Sequence, residues 1–249
     1  MKKLIIGTLF LLPTLLQAQF YSVKDQARIK DEILTIRLDS LLPVLMDETG
    51  FDMWLLISRE YNEDPVLKTL LPATWLNARR GTMLVFYRNR EQNSLEKLAV
   101  ARYDVGEHYK SVWNKEQQPD QWQALADLIK NKNPKRIGIN ISKHFNIVDG
   151  LVHTDYTELM EVLPPVYRKK VTSAEKLAIR WIETRTPREM KIFEDLTALT
   201  HQIIAEAFSG RVVIPGTTTA DDLVWWMRQK VSDLGLQTWF HPSVEIQRS

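Results

Sequence analysis

The side chains that most often carry chemistry are sparse in this sequence and widely separated. There is no cysteine, so these 249 residues form no disulfide and carry no lipid anchor through a cysteine. The five histidines are His108, His144, His153, His201 and His241. No two of them stand four residues apart, the spacing that places two imidazoles on one helical face to bind zinc. We therefore interpret each as a surface or hydrogen-bonded structural histidine, and only His241 keeps an alternative, given below.

Other motifs for catalysis or phosphate binding are also missing. The nine glycines are too far apart for a G-x-G-x-x-G motif or a P-loop, and no G-x-S-x-G elbow occurs. Asp221 and Asp222 resemble a carboxylate pair, but at a predicted helix start they serve as cap and dipole partners. Glu158 and Glu161 lie one helical turn apart and could bind a cation, although an isolated pair of this kind is more often solvated. The residues themselves predict no catalytic residue and no metal ligand.

The first 18 residues, MKKLIIGTLFLLPTLLQA, have the order of a secretory signal peptide. Lys2 and Lys3 precede an apolar run from Leu4 to Leu16, and small Ala18 is followed by polar Gln19. A transmembrane anchor would need about 20 apolar residues, and this run is shorter. We expect a bacterial signal peptide of residues 1–18, a periplasmic or secreted protein, and no membrane contact after its removal.

The charge balance argues against nucleic acid as a partner. Without Lys2 and Lys3 the 33 basic residues become 31, equal to the 31 acidic ones. Binding to phosphate needs a concentrated basic face, and the basic runs here are short and separated. The remaining chain, about 230 residues, is long enough to bury one large core or two modest ones.

Residues 22–172 alternate between helical and strand patterns, which predicts a layered α/β domain with a mixed sheet covered on both faces. A long first helix should bend at Pro43 and end at Gly50. The predicted strands are FDMWLLIS, TMLVFY, KLAVARY, RIGINIS and the strand-like VYRKKVTS. Two further helices are predicted in QPDQWQALADLIKNKNP and NIVDGLVHTDYTELMEVLPP.

Residues 173–249 have a helical texture instead. Thr186 with Glu189, three residues later, predicts a capping box at the start of one helix, and Thr219 with Asp222 predicts a second helix start. The run from Thr238 to Ile246 is rich in β-forming residues and predicts a strand. We expect two folding units joined near residue 172.

The order of these motifs resembles one known family. TPREMKIFEDLTALTHQIIAEAF, then IPGTTTADDLVWWMRQKVSDLG, then a strand carrying HPSV is similar to the opening of the pita-bread domain of Xaa-Pro aminopeptidases, prolidases and creatinases. The upstream segment RLDSLLPVLMDETGFDMWLLISREYNEDP is similar to the creatinase-type amino-terminal domain of that family. The resemblance implies an α/β amino-terminal domain at 22–172, followed by the first helices and strand of an incomplete α+β pita-bread domain at 173–249.

The same resemblance implies an exported metallopeptidase that hydrolyses short peptides and forms a homodimer when full length. Such enzymes hold two divalent ions (Mn, Co or Zn) with two Asp, one His and two Glu ligands around a bridging water. All five ligands would follow Ser249, so none is assigned here, and the chain is expected to be the first part of a longer protein. His241 is the one substrate-pocket candidate, because its strand would run beside the active cleft. The alternative is a non-catalytic module that dimerises or binds a partner.

Overall fold

The computed structural model describes residues 21–247. The predicted signal peptide, residues 1–18, lies outside the described residues, so its removal stays a prediction. The described chain forms two compact units. We call residues 24–192 the α/β unit; the helical unit comprises residues 193–247, and residues 21–23 are grouped with it. No helix in the described range is long and apolar enough to cross a membrane.

Helices and strands alternate along most of the α/β unit. Its strands are β1 (Met53–Arg59), β2 (Gly81–Asn89), β3 (Ser94–Val100), β4 (Lys110–Ser111), β5 (Ile137–Ile139) and β6 (Val171–Ser173). Its helices are α1 (Val23–Ile36), α2 (Leu42–Thr49), α3 (Pro65–Lys68), α4 (Gln121–Lys132), α5 (His153–Val162), α6 (Pro165–Arg168) and α7 (Glu175–Glu183). Helix α8 (Pro187–Ala207) begins in this unit and continues into the helical unit, which also contains α9 (Ala220–Asp233).

Among the described residues, six strands form one mixed sheet in the order β4-β3-β2-β1-β5-β6. Strand β2 is antiparallel to β1 and β3, whereas β5 is parallel to both β1 and β6. The TMLVFY and KLAVARY segments therefore form the predicted hairpin. The predicted fold class, α/β with a layered mixed sheet, is confirmed.

Both faces of the sheet are buried, and β1 shows how the sequence achieves this. Trp54 and Leu56 point into a core formed with α2, α3 and α7. Met53, Leu55 and Ile57 point into a second core formed with α4 and α5. Because side chains alternate between the faces of a strand, a central strand covered on both sides needs an unbroken apolar run. The segment MWLLI provides that run.

The first long helix is interrupted where its proline was expected to bend it. Residues Arg37–Leu41 form a π-helical turn between α1 and α2, directly before Pro43. A proline inside a helix lacks one N–H donor and clashes with the preceding turn, so the backbone widens locally. Gly50 then ends α2 in the left-handed conformation at φ 73°, as its position predicted.

The helical unit has a small core of its own. Leu199, Ile203 and Ala207 of α8 pack with Met227 of α9. Trp225 lies on the other side of α9 and is 56% exposed.

Two local predictions are wrong. The strand expected from Thr238 to Ile246 is not formed, because the segment pairs with no other strand among the described residues. Most of VYRKKVTS is also not a strand, because Pro165 starts the short helix α6 and only Val171–Ser173 reaches the sheet.

The division into units falls between Ile192 and Phe193. Helix α7 follows residue 172, yet Leu177, Ala178 and Trp181 are buried in the core of the α/β unit. Because these residues pack in that core, the compact unit extends beyond residue 172, where the predicted strands end. The junction expected near residue 172 stays a prediction, which limited proteolysis can test.

Candidate functional site

Polar side chains gather at the carboxyl ends of β1 and β5, which are parallel neighbours in the sheet. Ser58 and Arg59 end β1, and Asn140 follows β5. The carboxyl edge of parallel strands is where α/β proteins most often bind ligands. This edge is therefore the candidate functional site.

A network of buried, hydrogen-bonded polar side chains lies at this edge of the sheet. The Asp64 side chain caps α3 by accepting hydrogen bonds from the Val66 and Leu67 amides at 2.7 and 3.2 Å. Asn140 Nδ2 donates to the second Asp64 oxygen at 2.8 Å, and Trp54 Nε1 donates to Asn140 Oδ1 at 2.8 Å. Burial raises the pKa of the Asp64 carboxyl. Because its hydrogen bonds come from within the fold, we assign this network a structural role.

A second carboxylate at the same edge is only partly satisfied. Asp155, in the first turn of α5, has a side chain that is 2% exposed and pairs with Arg59, whose side chain is 48% exposed. Arg59 Nε donates to Asp155 Oδ1 at 2.7 Å. Asp155 Oδ2 is buried and has no hydrogen-bond partner among the described residues. An unsatisfied buried carboxylate oxygen is rare because its lost hydration is not replaced.

Arg59 and Asp155 line an open cleft of about 450 Å³. Its apolar walls come from Ile57, Met83 and Trp122, and its polar groups come from Arg59, Glu60, Arg80, Gln121 and Asp155. Gln121 is held in place because its side-chain amide donates to the carbonyl oxygens of Gly81 and Val100 at 2.9 and 2.7 Å. The cleft therefore combines two guanidinium groups, two carboxylates and an apolar surface.

Two residues of the cleft have backbone conformations that their side chains disfavour. Tyr61 has φ 70° and Arg80 has φ 56°. The other non-glycine residues with positive φ in the described chain are Asn93 and Asn133, a residue type that tolerates this region. The Glu60 side chain accepts from the Arg80 amide at 3.0 Å, and the Glu60 amide donates to the Arg80 carbonyl at 2.7 Å. Strained residues of this kind concentrate at binding sites.

His241 lies in the helical unit and lines a second open cavity, of about 470 Å³. Trp225, Arg228 and Pro242 line the same cavity, and the Arg228 guanidinium stacks 3.9 Å from the centre of the Trp225 ring. His241 itself is exposed. No strand forms around it, so its role as a substrate-pocket residue stays a prediction.

The other candidate residues do not come together. Asp222 closes the predicted capping box with Thr219, and the hydrogen bond from the Thr219 amide lowers the pKa of its carboxyl. His201 and Asp221 are exposed. Within residues 21–247, no group of three or more His, Asp or Glu side chains could hold a metal ion. The described residues therefore do not fit a two-metal centre.

The pair of Arg59 and Asp155 was missed in the sequence because 96 positions separate the two residues. Asp64, in the segment between them, caps α3 and does not line the cleft. One signal was available. A charged residue directly after a buried strand lies at the ligand-binding edge of a parallel sheet.

Comparison with known proteins gives limited similarity. No family model matches the chain, and no curated protein matches it. Among solved structures, a Xaa-Pro dipeptidase from Bacillus anthracis overlaps with 82% of this chain at 15% sequence identity and a TM-score of 0.46. The overlap covers 49% of that protein, so the chain spans about half of its length. At this score, the overlap assigns no function.

Proposed function

We propose that this chain is the amino-terminal part of an exported Xaa-Pro aminopeptidase-like metallopeptidase, in which two divalent ions hydrolyse short peptides. The proposal rests on the order of the structural elements. An α/β unit with a mixed sheet is followed by two helices, α8 and α9, and each begins with a capping box inside a motif that resembles the family. Residues that follow Ser249 would provide the ligands for the two ions (Mn, Co or Zn).

The two helix starts are formed in detail. At α8, the Glu189 side chain accepts from the Thr186 amide at 2.8 Å, and Thr186 Oγ1 accepts from the Glu189 amide at 3.3 Å. At α9, the Asp222 side chain accepts from the Thr219 amide at 2.9 Å, and Thr219 Oγ1 accepts from the Asp222 amide at 3.1 Å. These reciprocal bonds satisfy amides that a helix start leaves free. The TPRE and TTTADD motifs thus act as helix starts, as the resemblance implies.

Hydrolysis of Xaa-Pro peptides is one test of this proposal. The 249-residue chain and a product extended with its downstream coding sequence should be purified and assayed on Xaa-Pro peptides. We expect no turnover by the short chain and turnover by the extended one that a chelator abolishes, because the ligands would lie in the extension. Chelator-sensitive turnover by the short chain, or an extended product without activity, would contradict the proposal.

Export is part of the same proposal. A signal peptide at residues 1–18 would be removed after Ala18, which leaves Gln19 at or near the mature amino terminus. Intact-mass measurement of the protein recovered outside the cytoplasm should give the mass of a chain beginning there. A mass that includes Met1 would refute export by cleavage.

The second candidate function is a non-catalytic module that dimerises or binds a partner. The helical unit favours it, because several large apolar side chains are solvent-exposed there: Phe193 (59%), Phe208 (58%), Trp225 (56%), Trp239 (87%) and Phe240 (78%). Exposed apolar side chains in this number are typical of association surfaces. A stop codon directly after the Ser249 codon would support the module. A continuing reading frame with Asp, His and Glu ligands would support the peptidase and its homodimer.

A further inference from the structure

We propose that the cleft at the carboxyl end of β1 binds a small zwitterion, a molecule with an ammonium group near a carboxylate. The ammonium group would donate to Asp155 Oδ2, and the carboxylate would accept from Arg59 and Arg80. Free amino acids and short peptides carry this pair of groups. The proposal stands whether or not a longer protein hydrolyses peptides.

One carboxylate oxygen at this cleft lacks a hydrogen-bond donor. The Asp155 side chain is almost fully buried, and Oδ1 already accepts from Arg59. Oδ2 has no donor within the described chain and is shielded from solvent, so an incoming N–H group reaches it only after a small side-chain movement in the cleft. Leaving a buried acceptor without a donor costs free energy that a bound N–H group would recover. A hydrogen-bond donor is therefore the group that this position lacks.

The charge of the cleft is balanced. Arg59 and Arg80 carry two positive charges, and Glu60 and Asp155 carry two negative charges. A ligand with a single charge would offer a counter-charge to only one of these two pairs. A zwitterion keeps the balance and forms charge-assisted hydrogen bonds at both of its ends, which are about twice as strong as neutral ones.

The two arginines have groups that can reach a ligand. The Arg59 side chain is half exposed, and its Nε and Nη2 both contact Asp155 Oδ1, which leaves Nη1 to meet a ligand. The Arg80 side chain is exposed and forms no ion pair with the described residues. Its strained backbone is fixed on both sides by Glu60. The fold thus holds a free guanidinium group at the cleft in spite of the strain, which favours a binding role.

The apolar walls limit the size of the ligand. Of the three wall residues, Ile57 and Met83 are buried and Trp122 is half-buried. A volume of about 450 Å³ is at the small end of known ligand pockets. It suits a single amino acid or a dipeptide with a modest apolar side chain.

Binding can be measured by NMR of the arginine Nε–H groups, with the Arg59 signal assigned from its loss in Arg59→Lys. Glycylglycine is the probe, and N-acetylglycylglycine and glycylglycinamide are the blocked forms that lack the ammonium group or the carboxylate. We expect a saturable shift of the Arg59 signal with a Kd of about 1 mM for glycylglycine. Each blocked form should bind at least about tenfold more weakly, because each loses one charge-assisted contact.

Variants separate the proposed contacts from general effects. Arg80→Gln and Asp155→Asn should each weaken glycylglycine binding at least about tenfold. Arg102→Gln, an exposed arginine of the same unit that does not line this cleft, should leave it unchanged. If Asp155→Asn fails to fold, the Arg80→Gln variant still provides the test, because Arg80 is exposed. No saturable shift at about 50 mM probe, equal binding of all three probes, or full binding by Arg80→Gln would overturn the proposal.

Discussion

Replacing Arg37 with methionine should lower the free energy of unfolding of the α/β unit by about 3–5 kcal/mol. Arg37 is buried beside the start of α8, where its Nη1 donates to Glu189 at 2.9 Å and to the Thr184 carbonyl at 2.8 Å. Its Nη2 donates to the Trp181 carbonyl, and its guanidinium stacks 4.2 Å from the centre of the Trp181 ring. Methionine fills similar space but leaves Glu189 without its cation.

Urea denaturation of the purified chain measures this loss. Arg28→Met is the matched control, because Arg28 is 65% exposed and its contacts with Asp25 and Glu32 are long, at 3.8 and 3.9 Å. That change should stay within about 0.5 kcal/mol. The double variant Arg37→Met with Glu189→Gln should lose less than the sum of the two single changes, because it leaves no unpaired charge. A loss from Arg37→Met no larger than that from Arg28→Met would contradict this account.

Replacing Gly150 with alanine should destabilise the same unit by about 3 kcal/mol. A Cβ atom at residue 150 would lie 2.3 Å from Asp64 Cγ and 2.6 Å from both carboxylate oxygens. The Asp64 side chain is short and held by two backbone amides and Asn140, so it can move aside only by breaking these bonds. The clash therefore costs both packing and the cap of α3.

Thermal unfolding followed by circular dichroism can test this prediction. Gly210→Ala is the matched control, since a Cβ atom there meets no atom within 4 Å and it should change stability little. Shortening the clashing side chain with Asp64→Ser in the Gly150→Ala background should recover part of the loss, because serine can still cap a helix. Equal melting temperatures for Gly150→Ala and Gly210→Ala would show that the Asp64 network is not tightly packed.

Features fixed by a few neighbouring residues were predictable from the sequence. The capping boxes at Thr186 and Thr219, the stop at Gly50 and the break near Pro43 all depend on side chains within about one helical turn. The unbroken apolar run of β1 likewise predicted a strand that is buried on both faces.

Features that depend on distant partners were not predictable in this way. The Thr238–Ile246 segment has the composition of a strand, but a strand forms only where another strand accepts its hydrogen bonds. Helix α7 has the pattern of any amphipathic helix, and only its contacts show that it belongs to the α/β unit. The candidate cleft is similar, because neither Arg59 nor Asp155 belongs to a local motif and only the fold brings them together.

If, as proposed, this chain is the first part of a two-metal peptidase, the metal ligands would follow Ser249, and metal content is the sharpest test. Elemental analysis should be made on the 249-residue chain and on the product of the extended reading frame, both dialysed after exposure to manganese, cobalt or zinc. We expect about two ions per extended chain and no stoichiometric metal in the short one. Two ions bound to the short chain, or none bound to the extended chain, would contradict the proposal.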